Sequence, residues 1–462
     1  MKNLYLVSLG CDKNLVDAEK MLGMLTKDGY AVTDRPEEAD AILVNTCCFI
    51  NDAKEESIST ILEMAEYKKT GRLKALLVTG CMAERYRSEI LDTLPEVDAV
   101  VGTNAWQDIR SILRNILADG AREEVFRPLG EVNFAAQSAE GRVVTTGGHY
   151  AYLKIAEGCN KRCTYCIIPF LRGAQRSVPM EDLLKEAEEL ATRGVKELVL
   201  VAQETTVYGT DLYGEKRLPA LLRALSEIEG IRWIRILYCY PEEVTDELIE
   251  TIRDLPKVCH YVDVPIQHAS DHILKRMARK TTRAEITERI RKIRAEIPDI
   301  VLRTTMISGF PGETDADHHI LCEFIREMEF DRLGDFTYSR EEGTKAASFS
   351  HQVSRKVKEQ RRDEVMRIQQ EVAFAKARKQ IGRRLLVLVE GRLADEESES
   401  NVYVARTYMD APKVDGYLYF DAGDREFMTG DMAEVIVTGA NGYDLVGELA
   451  KDTQKRKVFG RG

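Results

Sequence analysis

The chain has 462 residues, with 66 basic and 77 acidic side chains and a formal net charge of −11. The length predicts about three domains, and the acidity argues against a protein whose main task is to hold RNA phosphates. The ten cysteines occur in a long chain without secretory features, which favours metal-binding or catalytic roles over disulfides. No apolar run approaches the ~18 residues of a membrane span, and the pattern predicts a cytoplasmic protein.

Residues 1–120 alternate short apolar runs with segments of helical periodicity, which predicts a doubly wound parallel α/β domain. The predicted strands are Leu4–Leu9, Ala41–Val44, Ala75–Val78 and Asp98–Val101. Cys11, Cys47 and Cys81 each follow one of the first three strands. Because ligands of open α/β sheets bind where the carboxyl ends of the strands meet, we expect these three thiols to lie together.

Three thiols at one sheet edge are one short of the four that a 4Fe–4S cluster normally takes. We interpret Cys11, Cys47 and Cys81 as ligands of such a cluster. The alternative is three inert buried cysteines, since free cysteine is among the residue types most often buried. Cys48 is adjacent to Cys47 and would point the other way on an extended backbone, so we interpret it as a spare cysteine or a packing residue.

Residues 121–145 are polar and contain glycine, which is typical of a linker. Residues 146–377 again alternate strands with helices and end in a charged helical connector. The predicted strands are Ala151–Ala156, Glu197–Ala202, Trp233–Tyr238, Tyr261–Ile266, Val301–Ser308 and Leu333–Tyr338. Six strand–helix units predict a partial TIM-like barrel, in which the active site lies at the carboxyl ends of the strands.

The first strand of this barrel leads into Cys159, Cys163 and Cys166, which have the spacing C-x3-C-x2-C. With no fourth cysteine nearby, a 4Fe–4S cluster in this loop keeps one iron open. An open iron binds a small ligand through an amine and a carboxylate. The alternatives are three unrelated thiols and a zinc site, although zinc prefers paired C-x2-C units and four ligands.

Two further strand ends carry candidate cofactor-binding residues. Gln203 and Glu204 follow the second strand of the barrel, and Gly309, Gly312 and Glu313 follow the fifth. Glycines at such positions let a cofactor approach the backbone, and the polar side chains can contact it. The alternative for the Gly-Phe-Pro-Gly stretch is an ordinary turn.

Residues 378–450 contain short predicted strands, followed by a tail of residues 451–462. The predicted strands are Leu385–Val389, Val402–Arg406, Tyr417–Phe420, Ala433–Val437 and Tyr443–Leu449. Five short strands with turn signals predict a small antiparallel β-barrel of the OB type. Residues 383–449 include 14 acidic and six basic side chains. This charge opposes a direct grip on RNA and attracts a basic protein, unless it serves only to keep the surface soluble.

Several motifs make the chain resemble the methylthiotransferases of the radical S-adenosylmethionine (SAM) superfamily over nearly its whole length. These motifs are SLGCDKNLVD at residues 8–17, VNTC at 44–47, TGC at 79–81, IAEGC at 155–159, FTYSREEGT at 336–344 and RTYMDAP at 406–412. Within the family they are similar to the branch that modifies a ribosomal protein, the RimO type. The tRNA branch usually has a Gln-Met-Asn-type stretch after its first cysteine and a proline-containing segment after the Tyr-Ser, and neither is present here.

The resemblance implies an N-terminal methylthiotransferase domain, a radical SAM core and a C-terminal TRAM barrel. It implies an enzyme that replaces a C–H bond on the β-carbon of an aspartate in small-subunit ribosomal protein twelve by C–S–CH3. The implied cofactors are two 4Fe–4S clusters and SAM. The cluster of the C-x3-C-x2-C loop cleaves SAM to a radical that abstracts the hydrogen, the first-domain cluster handles the sulfur, and a second SAM supplies the methyl group.

Two other functions stay open on the sequence alone. A tRNA adenosine methylthiotransferase would share all six cysteines, and a non-catalytic iron–sulfur protein would sense or carry electrons. The acidic barrel and the branch motifs argue against the first, and the second leaves the open cluster unexplained. The sequence assigns neither the sulfur donor nor the electron donor, and the ribosomal protein could be modified free or in the assembled subunit.

Overall fold

The computed structural model describes residues 2–120, 122–129, 141–393 and 401–451. Residues 121 and 130–140 of the predicted linker and residues 452–462 of the predicted tail lie outside these ranges. No helix in the described ranges is both long and apolar enough to cross a bilayer.

The N-terminal unit is a six-stranded sheet flanked by helices. Its strands are β1 (Lys2–Ser8), β2 (Tyr30–Val32), β3 (Ala41–Thr46), β4 (Ala75–Gly80), β5 (Ala99–Val101) and β6 (Glu123–Val125). Its helices are α1 (Asp12–Lys27), α2 (Asn51–Ala65), α3 (Tyr67–Thr70), α4 (Cys81–Tyr86), α5 (Ser88–Thr93) and α6 (Ile109–Asp119). The strands are all parallel, in the order β2-β1-β3-β4-β5-β6, and apolar cores lie on both faces. The predicted doubly wound domain is confirmed.

Two of these strands are absent from the sequence prediction. Strands β2 and β6 have three residues each, which is too short to display a hydrophobic period. Both lie at the edges of the sheet, where a strand has only one neighbour and needs no long apolar run. Because β6 falls within residues 121–145, that part of the predicted linker is instead the last strand of the first sheet.

The central unit is a second six-stranded parallel sheet. Its strands are β7 (Tyr150–Lys154), β10 (Glu197–Val201), β11 (Trp233–Ile236), β12 (Val258–Asp263), β13 (Val301–Ser308) and β14 (Arg332–Thr337), with a small hairpin of β8 (Ala156–Glu157) and β9 (Arg176–Ser177). The order is β14-β13-β12-β11-β10-β7, so neighbours in space follow one another in sequence. This open arc is the predicted partial barrel.

Nine helices of the described chain belong to this central unit. They are α7 (Ile168–Arg172), α8 (Met180–Thr192), α9 (Thr210–Tyr213), α10 (Leu218–Ser226), α11 (Asp246–Asp254), α12 (Asp271–Arg276), α13 (Arg283–Glu296), α14 (Asp315–Met328) and α15 (Arg355–Arg378). Helix α13 begins at a capping box, in which Thr282 and Glu285 each bond the other's backbone N–H. Helix α15 is the charged connector, and its apolar positions Val365 and Ile368 join the core beneath the sheet.

The C-terminal unit is a closed five-stranded barrel. Its strands are β15 (Arg384–Arg392), β16 (Val402–Thr407), β17 (Leu418–Asp421), β18 (Met432–Asn441) and β19 (Asp444–Leu449), ordered β15-β16-β17-β19-β18. Four neighbouring pairs are antiparallel, as predicted, but β17 and β19 run parallel. Strand directions cannot alternate all the way around a closed barrel with an odd number of strands, so one pair has to be parallel.

The three units pack together through the inner face of the central sheet. Tyr152, Val201 and Tyr261 on this face share a buried cluster with the C-terminal barrel and with Val16 of α1. Buried Arg406 of β16 also pairs with Glu197 of β10, Nη2 to Oε2 at 2.7 Å. Apolar burial and paired charge therefore place α1 and the barrel against the arc.

Candidate functional site

The first candidate site lies at the carboxyl edge of the N-terminal sheet. Cys11 precedes α1 after β1, Cys47 follows β3, and Cys81 begins α4 directly after β4. The three thiols are close enough to influence one another electrostatically. Burial raises the pKa of Cys47 to about 11 and also raises that of Cys81. The structure thus brings together the three cysteines that the strand pattern predicts at one edge.

Two asparagines fix the first cysteine relative to the second. Asn14 Nδ2 donates to the carbonyl oxygen of Thr46 at 3.1 Å, and Asn45 Nδ2 donates to that of Asn14 at 2.6 Å. These bonds join the first turn of α1 to the end of β3, next to Cys47. Cys48 is fully buried in the apolar core on the α2 and α4 side of the sheet, in the same cluster of buried residues as Cys81.

Gly80 allows Cys81 to start its helix against β3. Its φ is +92°, and a Cβ at this position would lie 2.4 Å from the carbonyl oxygen of Thr46. Any other residue would be strained by both the backbone conformation and this contact.

The second candidate site is the loop between β8 and α7. The Cys159 N–H donates to the carbonyl oxygen of Gly173 at 3.1 Å, and the Cys166 N–H donates to that of Cys163 at 3.1 Å. Gly158 has φ +82°, and a Cβ there would lie 2.2 Å from the carbonyl oxygen of Ala174. The loop therefore folds tightly over α7 and places its thiols beyond the first strand of the arc.

Two of the thiols of this loop have raised pKa values in the metal-free protein. Burial raises the pKa of Cys159 to about 11 and that of Cys166 to about 12. Without a metal both thiols remain protonated at neutral pH, and metal binding displaces their protons. The Cys159 sulfur accepts a hydrogen bond from the Lys161 N–H at 3.5 Å, and the Cys163 sulfur lies 3.9 Å from the Tyr240 hydroxyl.

The distances between possible ligand atoms bear on whether a cysteine set could surround a single metal ion. Among the described residues, the one group of His, Cys, Asp and Glu ligand atoms lying within 4.8 Å of one another is His318, Cys322 and Glu364, away from both cysteine sets. Neither cysteine set is gathered tightly enough to surround one zinc ion. A 4Fe–4S cluster is larger than one ion and its thiolate ligands bind separate irons, so it accepts cysteines that lie further apart.

Two of the predicted polar residues, Gln203 and Glu204, lie beside the cysteine loop. The Gln203 Oε1 accepts from the Gly158 N–H at 2.9 Å, so this side chain braces the cysteine loop. Glu204 is buried beside Lys161, 3.4 Å from its Nζ, and burial raises the pKa of Glu204 to about 7 although Lys161 opposes the rise. Both face the loop from the end of β10.

The fifth strand end is closed by the chain's own side chains. Glu313 Oε2 accepts the N–H groups of Gly309 and Phe310 at 2.7 and 3.0 Å, and its other oxygen pairs with Arg361. A Cβ at Gly309 would meet Lys358 at 2.3 Å, and one at Gly312 would meet Arg276 at 2.8 Å. In this structure these glycines allow close packing of the chain on itself, and a cofactor contact by them stays a prediction.

Three residues near the second site are missing from the sequence prediction. Lys161 Nζ and the guanidinium carbon of Arg279 lie 5.0 and 4.1 Å from the centroid of the Tyr240 ring. Arg279 is buried, and its Nε and Nη1 have no hydrogen-bond partner in the described part of the chain. Buried donors left unbonded are costly, so they fit a site that receives a polar ligand. No spacing rule links Arg279 or Tyr240 to the cysteines, because they come from other strand ends.

Three of the eight residues other than glycine that have positive φ in the described ranges lie near this site. Arg162 in the cysteine loop, Tyr238 after β11 and Gln267 after β12 all have left-handed backbones, with φ of 54°, 62° and 79°. Such conformations are unfavourable for residues other than glycine and persist where surrounding contacts enforce them, often at functional sites.

The two candidate sites face each other across the start of α1. The Tyr238 hydroxyl, at the end of β11, donates to Asp12 Oδ2 at 3.2 Å. Lys13 Nζ lies 3.4 Å from the centroid of the same ring. A second contact joins the units further out, where Arg85 of α4 pairs with Glu341 beyond β14 at 3.2 Å. The edge that carries Cys11 therefore opens toward the strand ends of the central arc.

Comparison with protein-family models gives three matches. Residues 3–102 match the uncharacterized protein family UPF0004, residues 153–325 match the radical SAM superfamily, and residues 381–450 match the TRAM domain. The three-part organisation implied by the sequence motifs is confirmed.

Among curated proteins, the chain is similar over its full length to several bacterial enzymes named ribosomal protein uS12 methylthiotransferase RimO. The relative from Lachnoclostridium phytofermentans is 56% identical over 444 residues, covering 96% of this chain and 99% of the relative. The relative from Clostridioides difficile is 48% identical over 451 residues, covering 97% and 99%. The relative from Geobacter sulfurreducens is 48% identical over 448 residues, covering 97% and 98%.

Among solved structures, the chain is similar in fold to radical SAM enzymes. TsrM from Kitasatospora setae, a radical SAM methyltransferase solved with cobalamin and a [4Fe–4S] cluster, gives a TM-score of 0.53 at 14% identity over 73% of this chain and 75% of TsrM. OxsB, a cobalamin-dependent SAM radical enzyme, gives 0.52 at 15% identity over 75% and 54%. Identities this low establish the shared fold alone.

Proposed function

The chain belongs to the RimO family of ribosomal protein uS12 methylthiotransferases, and from this premise we propose that it methylthiolates uS12. The product is the protein with a C–S–CH3 group on the β-carbon of an aspartate. The modified residue, the cysteine roles and the cytoplasmic setting of the reaction are parts of this proposal.

One observation carries the proposal: two separate sets of three cysteines lie at strand ends that face each other. Cys159, Cys163 and Cys166 would hold one 4Fe–4S cluster, and each cluster would keep one iron free of protein ligands. The second set, at the edge of the first sheet, would hold the other. A single-cluster electron carrier has no need for two open centres on opposed domains.

Bound clusters and SAM supply what protein side chains lack, a radical able to open an unactivated C–H bond and a source of sulfur and methyl. The side chains of the protein position the bound groups, provide charge around them and exclude water. Gln203 braces the backbone before Cys159, and Tyr240, Lys161 and Arg279 line the space beside the loop. The unbonded donors of Arg279 would orient a carboxylate-bearing ligand there. Buried Glu204 and partly buried Lys161 add a carboxyl–ammonium pair, 3.4 Å apart, at the same wall.

The C-terminal barrel favours a protein substrate over RNA. Asp421, Asp424, Glu426 and Asp431 are exposed at one end of the barrel, between β17 and β18. A field of this sign repels phosphate and attracts a basic protein surface. For this reason we prefer uS12 to tRNA as the substrate.

The experiment that tests the proposal is an anaerobic assay of the purified, reconstituted protein with SAM, a reductant and sulfide. Unmodified uS12 and unmodified tRNA are offered in separate reactions and analysed by mass spectrometry. We expect one methylthio group on an aspartate of uS12 and none on tRNA. A methylthio group found on tRNA and not on uS12 would overturn the proposal.

A matched pair of variants separates chemistry from folding in this assay. Cys163→Ala removes one proposed ligand, and Cys239→Ala removes a buried thiol in the apolar core of the central unit. We expect the first to lose uS12 modification and the second to keep most of it. Equal losses in both variants would point to damage to the fold.

A further inference from the structure

Arg172 connects the two candidate sites. It is the last residue of α7, the helix that follows the C-x3-C-x2-C loop, and it is only 2% exposed. Although it belongs to the central unit, its side chain crosses to the N-terminal unit. Its Nη2 donates to the Cys81 sulfur at 3.5 Å and also bonds Asn14 Oδ1.

The same guanidinium turns its other side toward two carboxylates. Its Nη1 donates to Asp17 Oδ2 at 3.0 Å and to Glu157 Oε2 at 3.1 Å. Lys154 pairs with the same two acids, lying 2.9 Å from Glu157. Two cations and two carboxylates thus balance in a buried group, and all four side chains are at most 6% exposed.

The hydrogen bonds continue from this group to the other cysteine loop. Glu157 Oε1 accepts from Gln203 Nε2 at 2.8 Å, and Gln203 Oε1 accepts from the N–H of Gly158 at 2.9 Å. Gly158 directly precedes Cys159. An unbroken chain of four hydrogen bonds therefore runs from the Cys81 sulfur to the backbone of the C-x3-C-x2-C loop.

We propose that Arg172 is a positioning residue that holds the Cys81 thiolate and sets the reduction potential of the cluster bound by Cys11, Cys47 and Cys81. This inference rests on the proposed function for those three cysteines as ligands. A cationic donor beside a thiolate ligand stabilises the reduced, more negative form of a cluster and so raises its potential. The N-terminal unit supplies the ligands, and the radical SAM unit completes their electrostatic surroundings.

A purely structural role for Arg172 makes a different prediction. As a bridge between units, it would affect melting temperature and iron retention but leave the potential of a retained cluster unchanged. Lys154 supplies the matched control, because it carries the same charge in the same buried group and none of its hydrogen bonds reaches a cysteine.

The test uses the full chain with Cys159, Cys163 and Cys166 all changed to alanine, so that only the second cluster is observed. This parent should retain about four irons. A parent without iron would refute the ligand assignment itself, before any Arg172 variant is compared. The potential of the cluster is then measured by a redox titration followed by electron paramagnetic resonance, in the parent and with Arg172→Met, Arg172→Lys or Lys154→Met.

We expect Arg172→Met to shift the potential to more negative values, Arg172→Lys to shift it less, and Lys154→Met to shift it least. An unchanged potential in an iron-loaded Arg172→Met protein would overturn the inference, as would an equal shift in Lys154→Met. If Arg172→Met does not retain iron, Arg172→Lys decides the question. That variant keeps the charge but loses the forked donor, and an unchanged potential in it contradicts the proposed contact with Cys81.

Discussion

At the scale of single residues, the two cysteine sets differ in what each should control. Changing Cys163 to alanine should remove about four of about eight irons and abolish formation of 5′-deoxyadenosine from SAM. Changing Cys81 to alanine should remove the other four but leave SAM cleavage in place, because that chemistry belongs to the central loop. Iron analysis and chromatography of the anaerobic reaction measure both. SAM cleavage that survives in Cys163→Ala would refute the assignment.

Gly80 provides a second residue-scale prediction. Gly80→Ala should be destabilised for two reasons, the backbone at φ +92° and ψ −160° and the contact with Thr46. Gly194→Ala has a positive φ of +98° but, apart from its chain neighbours, no described atom within 4 Å of its added Cβ. A residue with a Cβ that is held in such a sparsely occupied backbone region costs about 1–3 kcal/mol. Gly80→Ala should therefore melt at a lower temperature than Gly194→Ala and also lose iron. Equal melting temperatures and equal iron content would show that the tight contact is unimportant.

The convergence of Cys11, Cys47 and Cys81 could be predicted from the sequence because each follows a recognisable strand and parallel strands end at one edge of the sheet. The sequence predicts neither Arg279 and Tyr240 beside the loop nor Arg172 beside Cys81. These contacts join segments that are distant in the chain, and side chains that meet only in three dimensions leave no spacing in the sequence.

At the scale of elements, Asp335 of β14 is buried against α14 and α15 and makes the fold sensitive to pH. Burial raises its pKa from 3.8 to about 7, even though the Ser308 hydroxyl donates to it at 2.6 Å. Between these values the folded protein keeps a proton that the unfolded chain releases, so stability falls as pH rises from about 4 to 7.

Replacing this carboxyl by an amide should remove that penalty. Relative to the unmodified chain, Asp335→Asn should gain stability as pH rises, by roughly 2–4 kcal/mol across this range. Urea unfolding at pH 5 and pH 8, with matched iron content, measures the change. A stability difference that is the same at both values would contradict the burial of an ionisable group at this position.

The sequence predicts some secondary-structure elements and misses others. Strands with apolar runs, such as β3 and β4, are found because burial on both faces requires continuous apolar residues. Strands β2 and β6 are missed because three residues carry no period. The parallel pairing of β17 with β19 follows from closing the barrel, which is a property of the whole unit and not of any segment.

At the scale of the whole molecule, charge on the C-terminal barrel should govern capture of the substrate. Changing the exposed acids Asp421, Asp424, Glu426 and Asp431 to their amides should raise KM for uS12 several-fold at low salt, and the difference should shrink as salt screens the field. SAM cleavage without uS12 should stay the same. Changing exposed acids on central helices, such as Glu250 and Glu288, serves as the control. If the barrel variants and the control variants changed KM equally, the charge of the barrel would have no part in substrate binding.

In the proposed reaction, the radical forms at the central loop, sulfur is handled at the edge of the first sheet, and the substrate lies between them. The most direct test uses uS12 in which every aspartate carries deuterium on its β-carbon. After anaerobic reaction with SAM, a reductant and sulfide, we expect deuterium in the 5′-deoxyadenosine and a methylthio group on one aspartate of the same uS12 sample. Modified uS12 accompanied by 5′-deoxyadenosine free of deuterium would contradict the account.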